Sequence, residues 1–389
     1  MKTVGIFGGG QLGSMLTQSI FKLGGNVCIY DESKNSVCSR QVAKFYQGSY
    51  HDETCLQNFN SNCDVLTYEF ENIPYSTIFK FNHKAIPEAT ILKICQNRIY
   101  EKQFLKKHNL PIVRHIIIEN EHNLEEQLSS FTFPLILKSA KGGYDGKSQY
   151  IFNSEAEFKS LATQIISNHE FFPAVAEEKI LLTKEVSCII AQTQDGNIIN
   201  FPIIENIHLD NILDYSICPA RINTDLSKAL IHYSTQIVKA FNLIGLIVIE
   251  FFLSSTSPNS DLSLENTNIF INEIAPRPHN SGHLTIKAFN LSQFDVLARI
   301  LLNMPCNHPE LILSGSTCMI NIFGESFLNN PNGNLNFHNC ALSKNLIDLN
   351  IYGKAPAKPG RKMGHLTVND IDAISAIELA KNLKASLCQ

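Results

Sequence analysis

The chain opens on a short apolar run, Thr3 to Phe7, that ends in Gly8-Gly9-Gly10-Gln11-Leu12-Gly13. Apolar positions then recur at helical spacing, at Met15, Leu16, Ile20 and Leu23. A second β-type run, Asn26 to Tyr30, closes on Asp31. Strand, glycine turn, helix, strand and acid make the layout of a doubly wound βαβ unit, and the free N–H groups at the helix start invite an anion. A tight turn that needs glycine only for packing gives the same pattern. Runs at Val65 to Tyr68 and Ala85-Ile86 continue the unit, with Glu69-Phe70-Glu71-Asn72-Ile73-Pro74 between them. Acids at the carboxyl end of such a strand lie where open α/β sheets bind ligands. For Glu71 a solvated loop with a helix cap at Asn72 is the simpler reading; Glu69 stays open.

The pattern then changes. Thr90 to Asn109 reads as one helix, with Ile91, Ile94, Ile99, Phe104 and Leu105 on its apolar side and Arg98 and Lys102 among them, stopped by Pro111. Strands are expected over Val113 to Ile118, Leu135 to Lys138, Gln149 to Phe152, Glu185 to Gln194 and Ile198 to Ile207, the last two joined by Asp195-Gly196-Asn197. Helices are expected over Leu124 to Phe131, Glu155 to Ser167, Leu226 to Asn242 and Gln293 to Asn303. Leu246 to Phe252 and Ile269 to Ile274 read as partner strands around a polar stretch, Ser254 to Asn268, taken as a disordered hairpin tip. From Ser316 short strands dominate. The fold class is therefore α/β and α+β. It divides into a Rossmann-like unit over 1–88, a central domain over 89–305 with a lid subdomain over about 112–180, and a small β-rich domain over 306–389.

Composition narrows the function classes. With 32 basic against 36 acidic residues, the net charge of −4 gives no reason to expect nucleic acid or an acidic membrane surface as partner. The longest apolar run, Leu243 to Leu253, is too short to span a bilayer and contains Glu250. The 11 cysteines are scattered without a C-x-x-C pair, which suits reduced thiols in the cytoplasm.

Three groups of residues carry chemistry. Lys138 to Gln149 is a glycine-rich loop between two strands, and it reads either as a phosphate cover or as a solvated hairpin. Glu250 and Glu273 lie in two neighbouring apolar strands, where a pair of carboxylates makes sense if a divalent cation sits between them. Lys138 ends a strand beside the loop, and Arg277 and His279 follow the second acidic strand closely. A guanidinium there could hold an anion with two hydrogen bonds.

These features, with Glu177-Glu178-Lys179-Ile180, resemble the ATP-grasp superfamily. Asn272 to His283, reading N-E-I-A-P-R-P-H-N-S-G-H, is more specific. With Gly9 to Gly13 and Pro359-Gly360-Arg361-Lys362-Met363-Gly364-His365, it resembles the N5-carboxyaminoimidazole ribonucleotide synthetase family over nearly the whole chain. The resemblance implies a pre-ATP-grasp domain, an ATP-grasp domain and a C-terminal domain, commonly in a homodimer. The implied substrates are ATP, bicarbonate and 5-aminoimidazole ribonucleotide, with Mg²⁺ (Mn²⁺ as an alternative). It implies that Arg98 and Lys138 contact ATP phosphates, under a loop of Gly143, Tyr144, Asp145, Gly146, Lys147, Ser148 and Gln149. Adenine lies on Glu177, Glu178, Lys179 and Ile180, the ribose on Glu185, and His208 at the nucleotide pocket. Glu250 and Glu273 bind the metal, with Asn272 beside the phosphates. Asp145, Arg277 and Lys354 serve the carboxylation centre. Lys354, Arg361 and Lys362 hold the ribonucleotide phosphate near Gly10, Gln11 and Leu12, and Glu69, Asn280 and Ser281 complete the pocket.

Two departures stand out. Ser148 replaces a glycine usual in the family, and Ser254 to Asn268 is long. Three other readings compete: a formate-using ligase on the same core, an NAD-dependent oxidoreductase built on Gly8 to Gly13 and Asp31, and a non-catalytic nucleotide-binding protein. The oxidoreductase would leave Lys138, Glu250 and Glu273 without a purpose.

Overall fold

The computed structural model of the chain describes residues 1–122, 124–128, 131–142, 148–255, 262–328, 335 and 343–387. Its first sheet is parallel, in the order β3-β2-β1-β4, from β1 (Thr3–Phe7), β2 (Asn26–Asp31), β3 (Lys44–Gln47) and β4 (Val65–Tyr68). Both faces of β1 and β4 are covered, which is why they read as unbroken apolar runs. The run Ala85-Ile86 makes only a single bridge to Leu66, not a strand.

The second sheet is antiparallel, β5-β8-β6-β7, from β5 (His115–Ile118), β6 (Leu135–Ser139), β7 (Gln149–Phe152) and β8 (Ala174–Glu178). Leu135, Leu137, Phe152 and Ala176 face a small core with Phe158 and Ile165 from the helix Glu155–Ser167. The glycine-rich stretch joins β6 to β7; residues 143–147 of it lie outside the described residues.

The third sheet comprises β9 (Lys184–Gln192), β10 (Ile198–Asn200), β11 (Ile204–Leu209), β12 (Ile212–Cys218), β13 (Gly245–Ser255), β14 (Thr267–Ala275), β15 (Ser316–Phe323), β16 (Leu346–Ile351) and β17 (Lys362–Asp370). The order is β14-β13-β9-β11-β12-β15-β17-β16, with β10 paired to β9. The C-terminal strands thus continue the central sheet through the antiparallel β12–β15 pair. The helix Gln11–Lys22 packs on the same assembly, its Met15, Leu16 and Ile20 sharing a core with Leu297, Ile300 and Leu301.

The structure corrects several element boundaries. The expected helix Thr90 to Asn109 is two helices, Ala89–Cys95 and Arg98–Lys107, because Asn97 leaves the helical conformation and its side chain caps the Ile99 and Tyr100 N–H groups. The expected strand Ile198 to Ile207 is split into β10 and β11 around Pro202, which has no N–H to give a sheet. The helix after Asn72 starts at Tyr75 with Pro74 as its cap, so Asn72 does not cap it. The C-terminal part also ends in a helix, Ala373–Ser386, packed on β15 and β17. Of the long polar insertion, residues 256–261 lie outside the described residues, while Ser254-Ser255 and Thr267-Asn268 continue the β13–β14 ladder. No helix among the described residues is long and apolar enough to cross a membrane.

Candidate active site

Glu250 and Glu273 stand directly opposite each other in the β13–β14 ladder, at a bulge after Glu250. The register places both carboxylates on one side of the sheet, opposite the face on which Ile247, Ile249 and Ile274 pack into the core. Burial, and then the Glu273 charge, push the Glu250 pKa up to about 8. Solvent reaches Glu273 from the cleft, yet the enclosing protein and then Glu71 also raise its pKa. Two carboxylates that resist ionising together provide an oxygen-donor pair for a cation. No group of three or more His, Cys, Asp or Glu suited to a metal occurs among the described residues. A pair fits Mg²⁺, which takes its remaining ligands from phosphates and water.

One turn of the helix Arg98–Lys107 reaches three walls of this cleft. The Arg98 Nη1 donates to the Ser139 and Gly142 carbonyls, both at 2.8 Å, and so grips the base of the glycine-rich loop. The Glu101 Oε1 accepts from the Ile274 N–H at 2.7 Å, next to Glu273. The Lys102 Nζ lies 3.0 Å from Glu177 Oε1, on β8. Lys138 reaches the other oxygen of that carboxylate, Nζ to Oε2, at 2.6 Å. Burial opposes the Glu177 charge, but the two ammonium groups outweigh it and hold its pKa well below the usual carboxylate range.

Glu178, Lys179 and Ile180 line a groove of about 250 Å³ with Val113, Arg114 and Phe270. Glu177 points away from it into the lysine pair. Glu185 and His208 do come together, Oε2 to Nδ1 at 2.9 Å. Burial works against protonation of His208, but the Glu185 carboxylate prevails and raises its pKa. Asn272 lies half-buried beside Glu273 on β14.

The loop after β14 supplies Arg277, whose Nη2 is 3.0 Å from the Glu71 Oε1. Glu71 is therefore not a solvated loop residue. The His279 Nε2 is 3.6 Å from Glu250 Oε1, and burial followed by Arg277 keeps its pKa well below the usual range. Gln293 fixes His279 by accepting from its backbone N–H and donating to its carbonyl. Ser281 is wholly buried, and its hydroxyl contacts His279 Nδ1 and Ser187 Oγ, both at 2.9 Å. It supports His279 rather than facing the cleft. The Asn280 amide is buried with neither polar atom hydrogen-bonded among the described residues.

At the glycine turn the free N–H groups are taken by acids. Gly9 donates to Asp31 at 2.6 Å, while Gly10 and, at 2.6 Å, Gly13 donate to Glu69. Asp31, which an NAD ribose would need, is thus committed to the turn itself. Burial raises the Glu69 pKa against the pull of the Gly13 and Gly10 N–H groups, and Lys354 lies within its electrostatic range. Lys354 sits 5.4 Å from the Tyr352 ring centre. Burial lowers its pKa to about 8. Arg361 donates from Nη1 to the Pro356 carbonyl at 2.7 Å, and Lys362 starts β17. Gln11 and Leu12 begin the helix that follows the turn. Gly143, Tyr144, Asp145, Gly146 and Lys147 lie outside the described residues. Ser148 has a φ of +71°, a left-handed conformation that glycine adopts without cost. Gln149 pairs with Lys138 in the β6–β7 ladder.

The sequence pattern gives Glu101 no role and Lys102 only a place on the helix. The signal was there: they lie four and three residues before Leu105, on the helix stripe that faces the core, where charge is costly unless paired.

Three family models match successive parts of the chain: a ribonucleotide synthetase preATP-grasp domain over residues 1–96, an ATP-grasp domain over 103–294, and a phosphoribosylaminoimidazole carboxylase C-terminal domain over 317–378. The N5-carboxyaminoimidazole ribonucleotide synthase of Staphylococcus aureus is 35% identical over 379 residues, which are 95% of this chain and 94% of that protein. The crystal structure of the Staphylococcus aureus N5-carboxyaminoimidazole synthetase complexed with ADP matches with a TM-score of 0.87 at 32% identity, over 98% of this chain and 97% of that one. The Aspergillus clavatus N5-carboxyaminoimidazole synthase in complex with ADP and 5-aminoimidazole ribonucleotide matches with a TM-score of 0.85 at 27% identity, over 99% of this chain and 98% of that one.

Proposed function

Because the chain belongs to the N5-carboxyaminoimidazole ribonucleotide synthase family of ATP-grasp ligases, we infer that its cleft carries out the ATP-dependent carboxylation of 5-aminoimidazole ribonucleotide in purine biosynthesis. The observation that carries the assignment to this cleft is convergence. Glu69 and Glu71 come from the first sheet, Glu250, Glu273, Arg277 and His279 from the middle, and Lys354 from the C-terminal part. The Arg277–Glu71 pair at 3.0 Å joins the first two, and the Lys354–Glu69 attraction joins the first and last.

In this reading a bicarbonate oxygen attacks the γ-phosphorus of ATP and the bond to ADP breaks, giving carboxyphosphate. The ribonucleotide amine then attacks the carboxyl carbon, phosphate leaves, and the nitrogen loses a proton. Lysine and arginine neutralise the charge that builds on the transferring oxygens, which is most of what phosphoryl transfer asks of a protein. Lys138 and Arg98 serve the phosphates. Arg277, held by Glu71, orients the bicarbonate that becomes carboxyphosphate. Glu250 and Glu273 would hold Mg²⁺ (or Mn²⁺), which when bound neutralises the β- and γ-oxygens. Asp145 is the group we assign to the departing proton. Lys354, Arg361 and Lys362 hold the ribonucleotide phosphate, and the unsatisfied Asn280 amide suits a polar substrate group.

A cytoplasmic homodimer completes the reading; nine of the cysteines are described and all nine are free, which suits a reducing compartment. The decisive measurement is phosphate release. Purified protein with MgATP and bicarbonate should turn over only when 5-aminoimidazole ribonucleotide is present. Turnover indifferent to that ribonucleotide, or seen instead with formate and glycinamide ribonucleotide, removes the assignment.

A further inference from the structure

Lys102 lies outside the cleft surface, yet it is tied to Glu177, the carboxylate that holds Lys138 among the described residues. Its side chain is 2% exposed, that of Glu177 is 5% and that of Lys138 is 12%. The two lysines approach the same carboxylate from different elements, Lys102 from a helix and Lys138 from the end of β6. Each takes its own oxygen, at 3.0 Å and 2.6 Å. Neutralising Glu177 needs one ammonium, and a second buried ammonium carries its own desolvation cost. The trio as a whole is therefore a cation, and Lys138 is its member nearest the cleft.

We infer that Lys102 is a positioning residue for the nucleotide: it keeps Glu177 neutralised, so that the Lys138 ammonium can turn from Glu177 to the phosphates. Without Lys102, the departure of Lys138 would strand a buried carboxylate, which is among the most unfavourable events in a protein interior. Nucleotide binding would then compete with an internal ion pair. Arg98 lies one turn earlier on the same helix and grips the loop base. The helix thereby holds the described base of the loop, at Ser139 and Gly142, and sets the charge around Lys138.

This inference rests on Lys138 meeting the nucleotide phosphates, and the test separates the two. Titration calorimetry of the full chain with MgADP tests the nucleotide site first: a wild-type protein that does not bind MgADP removes the nucleotide reading itself. Given wild-type binding, Lys102→Met should weaken MgADP by roughly tenfold or more, with the KM for 5-aminoimidazole ribonucleotide unchanged. The double variant Lys102→Met/Glu177→Gln leaves no carboxylate to hold Lys138, and it should recover most of that loss. A buried ion pair that merely braces the helix predicts the opposite, with the double variant no better than the single one. Unchanged MgADP affinity in Lys102→Met, or no recovery in the double variant, overturns the inference. If Lys102→Met does not fold, the double variant, in which Lys138 is the one charge of the trio that remains and lies nearest the cleft, decides alone. MgADP binding within about tenfold of wild type supports the inference, and weaker binding overturns it.

Discussion

Lys354 shows how one residue can set a pH limit on a reaction. Burial pulls its pKa down to about 8 against the attraction of Glu69, with Arg361 and Lys362 adding to the depression. The ammonium is therefore present below that pH and lost above it. Between pH 7 and 9 the charged fraction of such a group falls from about nine-tenths to about one-tenth. If Lys354 holds the ribonucleotide as a cation, kcat/KM for 5-aminoimidazole ribonucleotide should fall roughly tenfold over that window, because this ratio reports the free enzyme. Lys354→Arg, charged throughout, should flatten the profile. A wild-type profile that is flat from pH 7 to 9.5 would take the charge contact away from Lys354. At this scale the sequence was partly legible. Glu250 and Glu273 announced themselves because carboxylates inside apolar strands need a reason to be there. Glu71 did not, because its partner Arg277 lies some two hundred residues away along the chain, and a loop acid with a distant partner looks like a solvated one.

At the scale of elements, the break at Asn97 matters more than either helix it separates. A continuous helix from Thr90 would carry Arg98, Glu101 and Lys102 along one fixed axis. The interruption lets a new helix start, with the buried Asn97 side chain satisfying its Ile99 and Tyr100 N–H groups. Its first turn then meets the loop base, the β14 backbone and Glu177 together. Loss of such a cap costs about 1 kcal/mol, up to about 2 in buried settings. Asn97→Ala should lower the unfolding free energy by that amount and weaken MgADP, with the ribonucleotide KM less affected. Asn97→Asp, which restores the acceptor, should recover most of both. Thermal unfolding and calorimetry on the same samples check this; a loss of stability with undiminished nucleotide affinity would show that the helix start does not position the site. Periodicity could not reveal the break, since apolar spacing runs through it. Capping chemistry could have, because Asn97 stands directly before the turn that carries Glu101.

For the whole molecule, the central sheet decides what counts as a domain. The expected boundary between 305 and 306 falls between β14 and β15 in the chain, and β15 pairs with β12 over Thr317 to Ile320. That pairing joins residues about a hundred positions apart, and no local pattern encodes it, so the C-terminal strands read as a separate unit. Their shared core mixes Tyr215 and Ile217 of β12 with Cys318, Ile320 and Val368. A chain ending at residue 305 would leave the apolar face of β12 bare and its N–H and C=O groups open along an unprotected edge, a template for association with other chains. We therefore expect the 1–305 fragment to aggregate, or to lack a cooperative thermal transition, rather than to persist as a smaller protein without Lys354 and Lys362. Size-exclusion chromatography and circular dichroism of that fragment check the point. A monodisperse fragment with a sharp transition would mean that β12 tolerates an open edge and that the C-terminal part is a detachable module. The distinction bears on function, because the electrostatic attraction between Lys354 and Glu69 links the C-terminal part to the loop after β4. A rigid continuation of the sheet makes the ribonucleotide pocket a fixed feature of the fold, whereas a detachable module would have to build it anew each time it docked.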